Sequence, residues 1–277
     1  MLKVAACCGS PAAVATVPAM ETLGEDLILL AVGPNGVLKA APKLRFGLSG
    51  TELVRLAAAR RVDIVRGRIA ILDATPTGDP LLDAALRSME GSGWRQPTAK
   101  AWVARPHRGL VERYLDRLAA AGAIRAEPGK VLGIFPVQRW KVIDTARLGQ
   151  ARARLDAIAS GSDSADAAQT AFAGLAYAIG LIPMIYPGVA GAAARKNVKR
   201  AATHSGLSVP RASAGADGAD ASDAATRAAA SAAMDAAVHA ATDAAVAASI
   251  AAATQAATDA AQHAAAHHDG GVAGGHH

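Results

Sequence analysis

The stretch of sequence best equipped for chemistry is Arg105-Pro106-His107-Arg108, followed at helical spacing by Glu112-Arg113 and Arg117. Two guanidinium groups on one helix edge can hold a phosphate monoester through paired, charge-assisted hydrogen bonds. The pattern therefore predicts an anion site at the start of a helix running from about His107 to Ala121; a solvated helix start is the competing reading. Asp79 and Asp83, four apart, could take a cation, although Asp79 directly before Pro80 reads first as a helix N-cap. Ser49 in Gly47-Leu48-Ser49-Gly50 has no assignable His and acid partners, and a helix start explains the segment. His263, His267, His268, His276 and His277 lack the Cys or carboxylate neighbours that fix a metal. No phosphate-binding loop, dinucleotide fingerprint or nucleophile elbow occurs. We read the chain as no enzyme, with no metal and no cofactor expected.

Charge gives the next constraint. The 277 residues carry a net +6, of which the last 67 contribute two Arg against seven Asp. Residues 1–210 thus hold 27 basic against 16 acidic groups, a net +11 that attracts anionic partners, phospholipid headgroups before nucleic acid. Cysteine is confined to Cys7 and Cys8, a pair that cannot staple distant segments and fits a reducing, cytoplasmic setting. Val4-Ala5-Ala6-Cys7 imitates a lipoprotein box, but only three residues precede it, so export is not expected. The uncharged run from Ala167 to Ala194 is long enough to span a bilayer. Its repeated Gly and Pro and its many Ala favour a buried central helix instead.

The elements that would position these residues follow from spacing. Thr22 to Glu25 forms a capping-box pattern ahead of Leu27-Ile28-Leu29-Leu30, and a second helix is predicted from about Gly47 to Arg60. Two alternating runs, 62–65 and 68–71, flank Arg66-Gly67 as a hairpin. A helix begins at Pro80, and Gly122 stops the one that starts near His107. Glu127-Pro128-Gly129-Lys130 is predicted as the turn of a second hairpin bearing Phe135 and Trp140. Helices are expected near 144–159, 166–182 and 190–203. The fold class expected is mainly α, one helical domain around a buried central helix with short hairpins, plus an alanine-rich C-terminal helix. Residues 1–19 read as a disordered extension, 20–203 as the domain, 204–223 as a linker, 224–268 as the alanine-rich helical tail and 269–277 as disordered.

Three segments, Leu23-Gly24-Glu25-Asp26-Leu27-Ile28-Leu29-Leu30, Pro76-Thr77-Gly78-Asp79-Pro80-Leu81-Leu82-Asp83-Ala84-Ala85-Leu86 and Val131-Leu132-Gly133-Ile134-Phe135-Pro136, resemble the bacterial branch of the Golgi phosphoprotein 3 family in content and order. The resemblance covers about residues 20 to 200. It implies a helical fold and a peripheral membrane or adaptor protein that recognises phosphatidylinositol 4-phosphate. In the family's pocket a Trp and three Arg hold the headgroup. Matched on Glu112-Arg113, one of those arginines falls at Arg108 and its companion becomes Val111; matched on Gly47-Leu48, the remaining Arg becomes Ser49 and the Trp falls near Ala40. Arg45, Arg105 and Arg113 are the residues available to rebuild an anionic site around Arg108. The family also self-associates through the second hairpin, which makes Phe135 and Trp140 the candidate oligomerisation residues. Protein partners are not identified by the sequence. The alternative reading is a winged-helix DNA-binding protein, with the 107–121 helix as reader and the second hairpin as wing.

Overall fold

Leu27-Ile28-Leu29-Leu30 has no polar face to offer water, so its helix must be enclosed on all sides. The computed structural model, which describes residues 21–90, 96–105, 107–131, 135–161 and 167–204, meets that demand. In chain order the elements are α1 (Leu23–Ala31), α2 (Ala41–Ala58), β1 (Val62–Val65), β2 (Arg68–Ile71), α3 (Pro80–Glu90), α4 (Ala99–Ala104), α5 (Leu110–Ala120), β3 (Ile124–Val131), β4 (Phe135–Val142), α6 (Thr145–Ala159), α7 (Ala167–Ala178), α8 (Ile182–Ile185) and α9 (Ala192–His204). The fold is mainly helical, with two antiparallel hairpins, as expected. Helix α1 is buried at every position except Glu25 and packs against α2, α5, α6 and α7. Gly47 makes the approach of α2 possible, because a Cβ there would lie 2.8 Å from Leu27 and 3.0 Å from Ile179.

The uncharged run divides. Helix α7 buries Phe172, Leu175 and most of its alanines, then the chain turns at Gly180 (φ +78°) into the short α8. No helix among the described residues is long and apolar enough to cross a membrane. The buried-helix reading therefore holds for α7, although α1 is the more completely enclosed.

Four local expectations are corrected. Helix α2 begins at Ala41, six residues before the predicted start, because Pro42 sits in its first turn where a missing N–H costs nothing. Gly47-Leu48-Ser49-Gly50 is thus mid-helix, and the Ser49 hydroxyl donates to the Arg45 carbonyl at 3.0 Å. The Thr22 capping box does not form: its hydroxyl donates to Asp26 at 2.7 Å, and Glu25 turns to arginine partners instead. Helix α5 begins at Leu110, so Arg105 caps the end of α4 and Arg108 lies in the intervening turn rather than on a shared helix edge.

The second hairpin turns later than predicted. β3 runs unbroken through Glu127-Pro128-Gly129-Lys130, pairing Glu127 with Arg139 and Pro128 with Gln138. The Trp140 N–H donates to the Gly36 carbonyl at 2.7 Å, outside the ladder. Antiparallel pairs alternate, so Pro128, two positions along from Trp140's partner Ala126, also faces outward, where its missing N–H is not needed. Residues 1–19, Cys7 and Cys8, the predicted linker from 205 onward, the alanine-rich tail and its histidines lie outside the described residues.

Candidate functional site

The basic cluster is assembled from three elements around His107. Burial lowers the pKa of the His107 imidazole, a bond to the Trp102 carbonyl opposes that, and the charges of Arg105, Arg113 and Arg45 push it down further. Arg45 comes from the first half of α2, Arg105 from the end of α4 and Arg113 from the first turn of α5; all three are exposed. Arg108, also exposed, follows His107 directly. His107 Nε2 lies 2.8 Å from the Trp102 carbonyl, which can only accept, so Nε2 carries the hydrogen and Nδ1 is the nitrogen left to titrate. The ring also sits 4.8 Å from that of the buried Trp102, fixing its place. Arg45 lies over the Phe46 ring at 4.6 Å. Among the described residues, no carboxylate forms an ion pair with Arg45, Arg108 or Arg113. Guanidinium groups that act on one neighbour and form no ion pair with a carboxylate can attract a phosphate-like anion.

Behind this surface lies a second, paired set of charges. Asp79 accepts from the Leu81 N–H as the N-cap of α3 and from both Arg55 and Arg117. Burial alone would raise its pKa, but the bonds from Arg117, Arg55 and the Leu81 amide hold it far below the carboxylate range. Arg117 reaches Glu25 at 3.6 Å, Glu25 pairs with Arg147, and Arg147 and Arg154 both bind Asp26, which is fully buried. The ladder links α1, α2, α3, α5 and α6. Asp83 accepts from the Thr77 amide and hydroxyl, so the two aspartates face different partners. No group of three metal-ligating side chains occurs among the described residues.

Glu52, on α2, lies between the two sets. Burial pushes its carboxyl up to about 8, although Arg113 and Arg55 both act to lower it. Burial also raises the Tyr114 phenol, with Glu52 adding to the effect. The Tyr114 ring fits against Gly24, where a Cβ would lie 2.4 Å from it. Glu52 and Arg55 did not stand out as site residues, yet the signal was present: Leu48, Glu52, Arg55 and Leu56 share one helical face, so both charges must enter the core.

Trp140, on β4, is half-buried and packs against the core, while Phe135 opens the strand. The hairpin docks by its Trp140 backbone onto the Gly36 turn, where a Gly36 Cβ would lie 3.0 Å from the Trp140 carbonyl.

The family model for Golgi phosphoprotein 3 (GPP34) matches residues 23–216. The chain belongs to the Golgi phosphoprotein 3 family. No curated protein matches it. The segments that first suggested the Golgi phosphoprotein 3 family supply Glu25, Asp26 and Asp79 to the buried ladder and Leu81, Leu82 and Leu86 to the core. Their chemistry is that of a scaffold. The basic cluster comes instead from segments outside those three, on α2 and from the end of α4 to the first turn of α5.

Proposed function

We propose that the protein binds anionic phospholipid headgroups through the surface around His107 and acts as a peripheral membrane or adaptor protein in the cytoplasm. The observation that carries the reading is that three exposed arginines from three separate elements, Arg45, Arg105 and Arg113, all bear electrostatically on one imidazole. Arg45 and Arg113 form no ion pair with a carboxylate among the described residues, so their charge is open to an anion, and the net +11 over residues 1–210 brings the protein to an acidic surface first. Phosphatidylinositol 4-phosphate is the ligand the family resemblance suggests. Val111, Ser49 and Ala40 at three pocket positions make the rebuilt cluster less selective among phosphate-bearing headgroups. Self-association through the Phe135–Trp140 hairpin would add avidity to such a site.

Sedimentation with vesicles tests this. The protein should pellet with phosphatidylcholine vesicles containing phosphatidylglycerol or phosphatidylinositol 4-phosphate and stay in solution with phosphatidylcholine alone. Equal pelleting with neutral and anionic vesicles would sink the reading. Tight binding to random duplex DNA without binding to vesicles would favour the winged-helix alternative.

A further inference from the structure

The chain from α8 to α9 places apolar side chains in water and holds them there. From Ile182 to Ala194 there is no charged residue. Within that stretch Val189 is 91% exposed and Met184 is 40% exposed. The loop is firmly built. Arg195 Nη1 donates to the Tyr186 and Gly188 carbonyls, each at 2.7 Å, and the Arg152 guanidinium lies 4.6 Å over the Tyr186 ring. The Tyr186 hydroxyl donates to Asp156. Gly191 is enclosed so tightly that a Cβ would lie 2.4 Å from the Tyr186 carbonyl oxygen. Three backbone or side-chain clamps thus fix the turn whose tip is Val189.

Exposed valine at a rigid tip is costly in water, and a braced loop loses little entropy when its tip is covered. Charge decides what covers it. Helix α9, which follows directly, carries Arg195, Lys196, Lys199 and Arg200 and no acidic residue. A second copy would bring Arg195 and Lys196 against their own counterparts, which opposes pairing. An anionic bilayer has the complementary arrangement: an apolar interior beneath a negative headgroup layer, where a lysine stem can lie along the interface with its ammonium outside. We infer that the Met184–Ala190 loop is a membrane-inserting tip, entering the interface of an acidic bilayer with Val189 leading and the basic first turns of α9 on the headgroups. This contact uses none of the residues around His107.

An environment-sensitive dye at the tip, with a binding measurement beside it, tests the inference. Cys7→Ser, Cys8→Ser and Val189→Cys in the full chain allow a nitrobenzoxadiazole label at position 189. With vesicles of phosphatidylcholine and phosphatidylglycerol the label should shift to the blue, and on the unlabelled chain Val189→Asp should weaken vesicle binding about tenfold with an unchanged circular dichroism spectrum. A label that stays water-like while the protein pellets overturns the insertion and leaves the His107 site standing. A blue shift that persists in Arg45→Ala/Arg113→Ala, with unchanged binding, supports the loop and removes that site. A concentration-dependent blue shift without vesicles shows pairing of copies and overturns the membrane role, and failure to bind any acidic vesicle overturns both.

Discussion

Arg113 and Arg117 stand one turn apart on α5 and serve different regions of the molecule. Arg117 turns inward to Asp79 and Glu25, whereas Arg113 is exposed and bears on His107. The buried ladder and the surface cluster use the same side chain, and the difference lies in the carboxylates that the fold supplies. Every rung of the ladder has an acid from α1 or from the cap of α3; Arg45, Arg108 and Arg113 form no ion pair with a carboxylate among the described residues. An arginine with a buried acid is structural, since its charge is already neutralised. An arginine grouped with other arginines still has charge to offer a ligand.

Breaking the ladder should produce the largest effect. Asp79→Ala removes the cap of α3 and leaves Arg55, only 7% exposed, without its carboxylate, which should cost about 3–5 kcal/mol. Urea unfolding measures this, and a loss below roughly 1 kcal/mol would mean that the ladder contributes no more than surface pairs do.

Glu52 sharpens the boundary between the two regions. In the folded protein it keeps its proton up to about pH 8, and in the unfolded chain only to its ordinary value of 4.5. The folded state therefore binds more protons in that window. Stability is full below 4.5 and falls as pH rises toward 8, by up to about 1.4 kcal/mol per pH unit. Glu52→Gln, which imitates the protonated acid, should match the wild type near pH 5 and exceed it at pH 8. Parallel pH profiles for the two proteins would show that Glu52 is ionised in place.

Much of this was readable from residue order. The alternation at 62–65 and 68–71, the cap at Asp79 and the stop at Gly122 are local signals, and each appears where predicted. The errors arose where tertiary contacts override a local preference. Pro128-Gly129 looks like a turn but lies within β3, with Pro128 at an outward-facing position of a hairpin whose β4 strand docks on Gly36. Thr22 and Glu25 look like a capping box, but Glu25 is taken by Arg147 on α6, more than 120 residues away, and the Thr22 hydroxyl donates to Asp26. Of the basic cluster, the segment 105–113 was evident as a motif. The arrival of Arg45 beside it depends on how α2 crosses α5, which no local pattern encodes.

Arg113→Ala should separate binding from stability. An exposed arginine that forms no ion pair contributes little to the fold where Glu52 is protonated, so unfolding near pH 5 should change by less than about 0.5 kcal/mol. Binding to phosphatidylglycerol vesicles should weaken about fivefold, the worth of one basic residue at an acidic surface. Arg117→Ala should do the reverse, lowering stability with little change in binding per folded molecule. If the two variants behave alike, the division between ladder and cluster is wrong.

The smallest effect is the most local. Because the Trp102 carbonyl fixes the hydrogen on Nε2, titration of His107 occurs at Nδ1, under the field of Arg105, Arg113 and Arg45. An anion seated among those groups offsets their field and favours the imidazolium, so the His107 pKa should rise toward its ordinary value of 6.5. Imidazole proton resonances followed against pH, with and without inositol phosphate, would measure it. The rise should shrink in Arg113→Ala, since the anion is then held less closely. An unchanged titration with the headgroup bound would place the anion elsewhere and leave His107 with only its structural bond to Trp102.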